Sequence, residues 1–163
     1  LLANPEATLE FARQNLFKPL GIRDVIWPAD PQGFSHGWSD LHLHPRDAAK
    51  IGYLWLQQGQ WVGQQIVSRA RVEDSVKVQV KTGRDDDYGY GWWVVGQEGE
   101  YAAIGRGGQR IQVYPALDII LVMIGNNDHF AFRLRFEDDR LVLAGQETDH
   151  ELGLRLEGRL QTP

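Results

Sequence analysis

The chain of 163 residues contains no cysteine. That absence excludes disulfides, thiolate-ligated zinc and a cysteine nucleophile together, and it leaves the redox compartment undecided. No apolar run approaches the roughly 20 residues that a membrane span requires, so none is expected. The longest run, residues 119–124, has the length of a buried strand. An excess of positive charge is also missing. The net charge is −5 and acidic and basic residues are mixed along the chain, which argues against an electrostatic nucleic-acid surface and a nucleic-acid partner. There is no internal repeat, no low-complexity segment, no signal peptide and no initiating methionine. The chain opens on Leu1-Leu2-Ala3-Asn4-Pro5, already close to a helix start. It reads as a piece of a longer protein, so the missing signal peptide carries no information.

What is present is ordinary for a soluble globular protein: 42% hydrophobic and 24% charged residues. The length suffices for one domain with a real core, or for one domain and a small appendage. Six Trp, five Tyr and six Phe make a large aromatic load. It suits a packed core or an aromatic-lined pocket, and the core is the favoured use.

Residues 5–17 carry Leu9, Ala12, Leu16 and Phe17 near helical spacing and predict a helix beginning near Pro5. Pro19-Leu20-Gly21 ends it. Residues 24–42 are rich in Pro, Gly, Asp and Ser and read as a long irregular connection, of the kind that is often functional. Residues 45–58 form the clearest helix. Pro45 suits its first turn, Asp47 suits the positive end of its dipole, and Ala48, Ile51, Leu54 and Trp55 make one apolar face. Gly59 closes it, and Ser68 caps a third helix through about Lys77. The period then changes to two. Residues 88–95 read as a strand with Tyr88, Tyr90 and Trp92 on one face and Gly89 and Gly91 on the other. Residues 101–104, 109–114 and 117–124 follow as extended segments joined by short turns, which predicts an antiparallel meander. The tail alternates apolar and charged residues strictly. Residues 132–136, Glu137-Asp138-Asp139 and residues 140–143 make a hairpin pattern, repeated by Leu152, Leu154 and Leu156. It reads as a small β appendage with a boundary near residues 126–129.

Five stretches, taken with this order of elements, resemble the C-terminal half of the serine β-lactamase and penicillin-binding protein family. The likeness is to the branch with class C β-lactamases, D-alanyl-D-alanine peptidases and related esterases. The stretches are Asn15-Leu16-Phe17-Lys18-Pro19-Leu20-Gly21-Ile22, Pro45-Arg46-Asp47-Ala48-Ala49-Lys50-Ile51-Gly52, Gln64-Gln65-Ile66-Val67-Ser68, Tyr88-Gly89-Tyr90-Gly91-Trp92-Trp93 and Gly105-Arg106-Gly107-Gly108-Gln109. They stand in family order and cover residues 1 to about 125. The remaining tail resembles a β extension found in some relatives.

The resemblance implies a chemistry in three parts. A Ser in Ser-x-x-Lys attacks a carbonyl with its Lys as activator, a Tyr-x-Asn or Ser-x-Asn motif relays protons, and a Lys-Thr-Gly or His-x-Gly triplet holds the substrate carboxylate. A hydroxyl needs a nearby base, and a developing oxyanion needs aimed N–H groups. The serines here are Ser35, Ser39, Ser68 and Ser75, and three positions on stand Trp38, His42, Arg71 and Val78. Ser-x-x-Lys is therefore absent, and neither Tyr nor Ser is followed two positions later by Asn. In the family both motifs lie upstream of the first helix seen here.

Lys81-Thr82-Gly83 spells the third motif literally, but it precedes the charged run Arg84-Asp85-Asp86-Asp87 and comes before the strand at Tyr88. A short motif needs its structural context. The segment in the family's place is Gly105-Arg106-Gly107-Gly108. By resemblance, Arg106 stands where the family has Lys or His, Gly107 and Gly108 complete the triplet, and the Gln109 N–H is one oxyanion donor. Arg is a fixed cation with a planar fork that can grip a carboxylate, and it is no base near neutral pH. On residues alone the same stretch reads as a Gly-rich turn with a solvated Arg.

Other candidates are weaker. His42 and His44 would share one side of an extended segment, with Asp40 and Asp47 near, but His44 directly precedes Pro45 and marks a helix start; no metal is expected. The run Asp85-Asp86-Asp87 lacks the spacing of a calcium loop and reads as solvated charge. His129 and His150 have no evident partners. Trp27, Pro28 and the connection around them border a substrate cleft only by resemblance and loop length.

The expectation is an α+β protein, the C-terminal portion of a β-lactamase/transpeptidase-like fold, with helices plus an antiparallel sheet and a small β tail. Residues 1–127 would be the C-terminal part of a catalytic domain and residues 128–163 the appendage. The parent reaction is acyl transfer from Ser to water on an ester, amide or β-lactam. The substrate-binding residues are Arg106, Gly107, Gly108 and Gln109, without a cofactor. The full-length protein would take a small-molecule or peptide substrate, with the missing N-terminal half supplying nucleophile and base; this chain alone would not turn over. The resemblance implies a closing helix after the last core strand, and the sequence departs from it by running from residue 124 directly into the tail. The alternatives are a non-catalytic binding module derived from the family, or one half of a split enzyme. A periplasmic or secreted location is implied by the resemblance alone.

Overall fold

The computed structural model describes residues 7–37, 39–96, 99–125, 130–137 and 140–147. The first helix, α1 (Ala7–Ala12), widens into a π-helical turn at Arg13–Phe17, where the Lys18 N–H donates to the Arg13 carbonyl at 2.9 Å. The sequence predicts a plain helix here. The extra residue per turn is invisible to a 3.6-residue pattern. The chain then turns back, with the Ile22 N–H on the Phe17 carbonyl at 2.8 Å. Phe17, Leu20 and Ile22 are buried with Leu54 in one apolar cluster that also takes in Leu9, Leu16, Ile51, Trp55 and Trp61.

The helix α2 (Pro45–Leu56) begins as expected. His44 is its cap, accepting from the Arg46 N–H through Nδ1, and Asp47 sits in the first turn with Lys50 2.6 Å away. It stops two residues before the expected end, where Gln58 takes φ +54° and the Gly59 N–H reaches back to the Leu54 carbonyl at 2.7 Å. A hairpin that the sequence reading did not anticipate follows, β1 (Gln60–Trp61) with β2 (Gln64–Gln65). Its turn residues Val62 and Gly63 both have positive φ, as a type I′ turn requires. Next comes α3 (Arg69–Ser75), capped by the Ser68 hydroxyl, which accepts from the Arg71 N–H at 3.3 Å.

Five strands make the main sheet: β3 (Asp87–Tyr88), β4 (Trp93–Val95), β5 (Glu100–Gly105), β6 (Gln109–Tyr114) and β7 (Ile119–Met123). They lie in chain order and every neighbouring pair is antiparallel, the meander the alternation predicts. One correction falls within it. Residues 88–95 are not a single strand, because the chain reverses at residues 89–92, where the Gly89 N–H meets the Trp92 carbonyl at 2.8 Å. Tyr88, Tyr90 and Trp92 therefore share no face.

Register explains the core. The row Val94, Tyr101, Val113 and Ile120 runs across the sheet on the side of α2. Trp92, Tyr101 and Val113 are buried there against Ile51 and Trp55. The rings form a ladder, Trp55 to Trp92 at 5.3 Å and Trp92 to Tyr101 at 5.2 Å. Each such burial is worth about 1.5–3 kcal/mol. Gly52 sets how closely α2 lies on the sheet, since a Cβ there would stand 2.8 Å from Ile120 Cγ2.

The chain divides into two compact units, Leu1–Gly105 with Gln109–Ile124, and Arg106–Gly108 with Gly125–Pro163. In the second, β8 (Phe130–Glu137) pairs antiparallel with β9 (Arg140–Glu147), from Glu137↔Arg140 at the turn to Phe130↔Glu147 at the open end. The expected hairpin is thus present. The boundary at residues 126–129, His129, His150 and the repeat at Leu152, Leu154 and Leu156 lie outside the described residues. Among the described residues no helix is long and apolar enough to cross a membrane.

Candidate functional site

Gly105 and Gln109 form the last pair of the β5–β6 ladder, and Arg106, Gly107 and Gly108 make the turn between them. Gly107 and Gly108 stand at φ +80° and +77°. Two consecutive left-handed residues cost an L side chain about 1–2 kcal/mol each, so the Gly-Gly pair dictates this reversal. Arg106 is exposed, and its guanidinium has no hydrogen-bond partner among the described residues. Gln109 is half-buried as the first residue of β6. The four residues singled out from sequence thus lie together along one turn. The exposed Arg106 can hold an anion or a polarised carbonyl by charge, and the turn contains neither base nor nucleophile.

Lys81-Thr82-Gly83 has other duties. It leaves an isolated pairing of Val80 with Tyr88 and enters a loop closed by the acidic run. The Thr82 hydroxyl donates to the Asp86 carbonyl at 2.6 Å and accepts from the Arg84 N–H at 3.1 Å. The Thr82 N–H donates to Asp87 Oδ1 at 3.2 Å, and Lys81 Nζ lies 3.5 Å from Asp87 Oδ2. The triplet's polar groups are spent on its own loop.

The hydroxyls of Ser39, Ser68 and Ser75 are engaged locally. Ser68 caps α3 and Ser35 pairs with Ala29 across the 24–42 connection. Ser75 is buried, accepts from Trp55 Nε1 at 2.8 Å and donates to the Val72 carbonyl at 2.8 Å. Ser39 belongs to a group that has the members of a catalytic triad in the wrong order. Its hydroxyl donates to Asp40 Oδ2 at 2.8 Å, and His36 Nδ1 meets the same oxygen at 2.7 Å. The carboxylate lies between hydroxyl and imidazole, so the imidazole cannot take the hydroxyl proton. The hydrogen bonds from His36 and then Ser39 hold the Asp40 carboxyl below the usual carboxylate range.

The two other histidines among the described residues are apart in role. His42 pairs with Ile26 across the connection and His44 caps α2. Among the described residues no group of three His, Asp or Glu side chains is placed to hold a metal. The 24–42 connection is tied internally, with Trp27 Nε1 donating to the carbonyls of His36 at 2.9 Å and Ser39 at 3.1 Å. The aromatic candidates separate. Tyr88 packs on Trp93 at 4.9 Å, Tyr90 is exposed under Arg71, and Trp92 is core.

One feature of β6 escaped the sequence reading. Its second face is also buried: Gln112 and Tyr114 are 5% and 2% exposed, and burial holds the Arg110 guanidinium below its usual range. The signal was an unbroken stretch, Gln109-Arg110-Ile111-Gln112-Val113-Tyr114, whose polar alternates resemble a solvated face.

Comparison with known proteins agrees with this architecture. Two solved structures share the fold. One, from Bacillus anthracis, is described provisionally as a 6-aminohexanoate-dimer hydrolase; it is 22% identical with a TM-score of 0.64, over 72% of this chain and 32% of that one. The other is a penicillin binding protein from Bacillus halodurans, 18% identical with a TM-score of 0.53, over 72% of this chain and 44% of that one. The chain thus spans about a third of the first and less than half of the second. No curated protein matches it. The family model described as Beta-lactamase matches residues 1–146, through the β8–β9 hairpin, and the chain belongs to that family.

Proposed function

We propose that this chain is the C-terminal, substrate-holding part of a serine hydrolase that transfers an acyl group to water from an ester, amide or β-lactam. Arg106 binds the carboxylate or polarised carbonyl of the substrate. Gly107 and Gly108 let it approach the backbone, and the Gln109 N–H is one oxyanion donor. The nucleophile and its base belong to a preceding part of the protein. The reading takes its support from the family match and from the share of the similar structures that this chain spans. The observation that carries it is the contrast between Ser39, Ser68 and Ser75, whose hydroxyls are engaged locally, and the exposed Arg106 guanidinium at the β5–β6 turn, which has no partner among the described residues.

The test is labelling with a serine-directed fluorophosphonate and a fluorescent penicillin. It is run on this chain and on the product expressed with the coding sequence that precedes it. The chain is expected to stay unlabelled, and the longer product to be labelled at a serine outside it. Labelling at Ser35, Ser39, Ser68 or Ser75 would refute the assignment.

A further inference from the structure

The face of β6 that turns away from α2 carries polar side chains in an apolar setting. Arg110, Gln112 and Tyr114 share it through the two-residue period of a strand. Gln112 pairs with Ala102 on β5 and with Leu121 on β7, so its own row across the sheet offers it apolar neighbours. Ala102 is fully buried and Gln112 is 5% exposed. The Gln112 side-chain oxygen, Oε1, is closed to solvent and has no hydrogen-bond donor among the described residues.

In the unfolded chain water supplies that oxygen with donors, and buried polar atoms of native proteins almost always keep one. Burial without a donor loses the hydration and gains nothing for it. The atom is already shut off from solvent in this chain, so its donor is enclosed with it as the sheet folds and does not arrive with a docking surface. Ala102 brings only a methyl to the adjoining position, where a larger residue would fill the row. Water answers either end of the carboxamide, as donor to Oε1 or as acceptor from Nε2. An enclosed water needs about two to four polar partners. The same face has them: Arg110 and Tyr114 flank Gln112, and the Arg110 guanidinium, desolvated by burial, is acted on by Tyr114 and by Asp86.

We infer that one ordered water is enclosed on this face of the sheet, donating to Gln112 Oε1 in the space that the small Ala102 side chain leaves and completing its hydrogen bonds with the Arg110–Tyr114 stripe. The inference goes beyond the hydrolase reading and does not depend on it. It makes water a structural component of β6, the strand that begins at the candidate turn. It also accounts for a glutamine in a row that otherwise holds Ala102 and Leu121.

A high-resolution crystal structure of this chain tests it directly. An ordered water is expected within about 3 Å of Gln112 Oε1. A dry contact there, or a side-chain donor in its place, overturns the inference. Urea titration gives an independent arm. Gln112→Met keeps the length of the side chain and removes the acceptor. It is expected to lower the folding constant about fivefold, because the water loses a partner that a thioether does not replace. A rise would mean that the oxygen had been bare, and an unchanged constant that nothing was bound to it; either overturns the inference. Ala102→Ser sets a hydroxyl in the place of the water. With Gln112 present it is expected to change the folding constant less than about twofold, since the hydroxyl takes over as donor. In the Gln112→Met background the same substitution is expected to lower the constant about fivefold, since the hydroxyl then finds no acceptor. Equal effects of Ala102→Ser in the two backgrounds would show that the positions do not share a hydrogen-bonded site, and would overturn it.

Discussion

Two basic, glycine-ending triplets occupy this chain and behave in opposite ways. Lys81-Thr82-Gly83 matches a catalytic signature letter for letter, yet its threonine and lysine are bound to Asp86 and Asp87 in their own loop. Arg106-Gly107-Gly108 matches the signature poorly, yet it joins two long strands of the sheet and presents a guanidinium without a partner among the described residues. A motif is a claim about where chain and charge are presented. Letters satisfied by their neighbours present nothing.

Activity gives the largest contrast. On the proposed hydrolase reading, Arg106→Ala in the product that includes the preceding coding sequence is expected to lower kcat/KM about a hundredfold, the worth of a lost charge-assisted contact. Lys81→Ala is expected to change it less than about twofold. Equal losses from both variants, in steady-state assays, would erase the distinction. Stability reverses the ranking. Asp87→Ala leaves the Thr82 N–H without its acceptor and is expected to cost about 1–2 kcal/mol in denaturant titration of this chain. Arg106→Ala is expected to cost less than about 0.5 kcal/mol in the same titration. A third measurement marks where the triplets are alike. Gly83 and Gly108 both sit at left-handed φ, +70° and +77°. Alanine at either is expected to cost about 1 kcal/mol. A large difference between them would mean that backbone strain, and not side-chain engagement, separates the two sites.

The smallest effect near neutral pH comes from a control far from both triplets. Burial pushes the Tyr101 phenol above its ordinary value. Its folded pKa exceeds its unfolded one, so its contribution is fully present below about pH 10 and is lost as pH rises beyond it. Chemical denaturation at pH 8 and pH 11 is expected to show a decline that Tyr101→Phe reduces, and an equal decline in both proteins would remove Tyr101 as the cause.

Much of the fold was legible because its cues are local. Pro45, Asp47 and the face of Ala48, Ile51, Leu54 and Trp55 define α2 without tertiary knowledge. The meander followed from period-two segments between turn residues. What was not legible depends on a partner residue far along the chain. Tyr-Gly-Tyr-Gly alternates as a strand does, and only the pairing of Tyr88 with Trp93 shows that the chain has doubled back. The β1–β2 hairpin has strands of two residues, too short for any periodicity. The candidate site was chosen by position and not by letters: Gly107 and Gly108 write its turn, and the role proposed for Arg106 has no signature of its own.

The ladder of Trp55, Trp92 and Tyr101 also makes the molecule its own optical gauge. The rings come from a helix, a turn and a strand, at centroid spacings of 5.3 and 5.2 Å. Indoles that close and inclined at 45° couple their electronic transitions, so their circular dichroism in the near ultraviolet depends on mutual angle as well as burial. The signal collapses when α2 lifts from the sheet, even if helix and sheet each persist. Seating of the helix can therefore be followed in the unlabelled protein, separately from secondary structure.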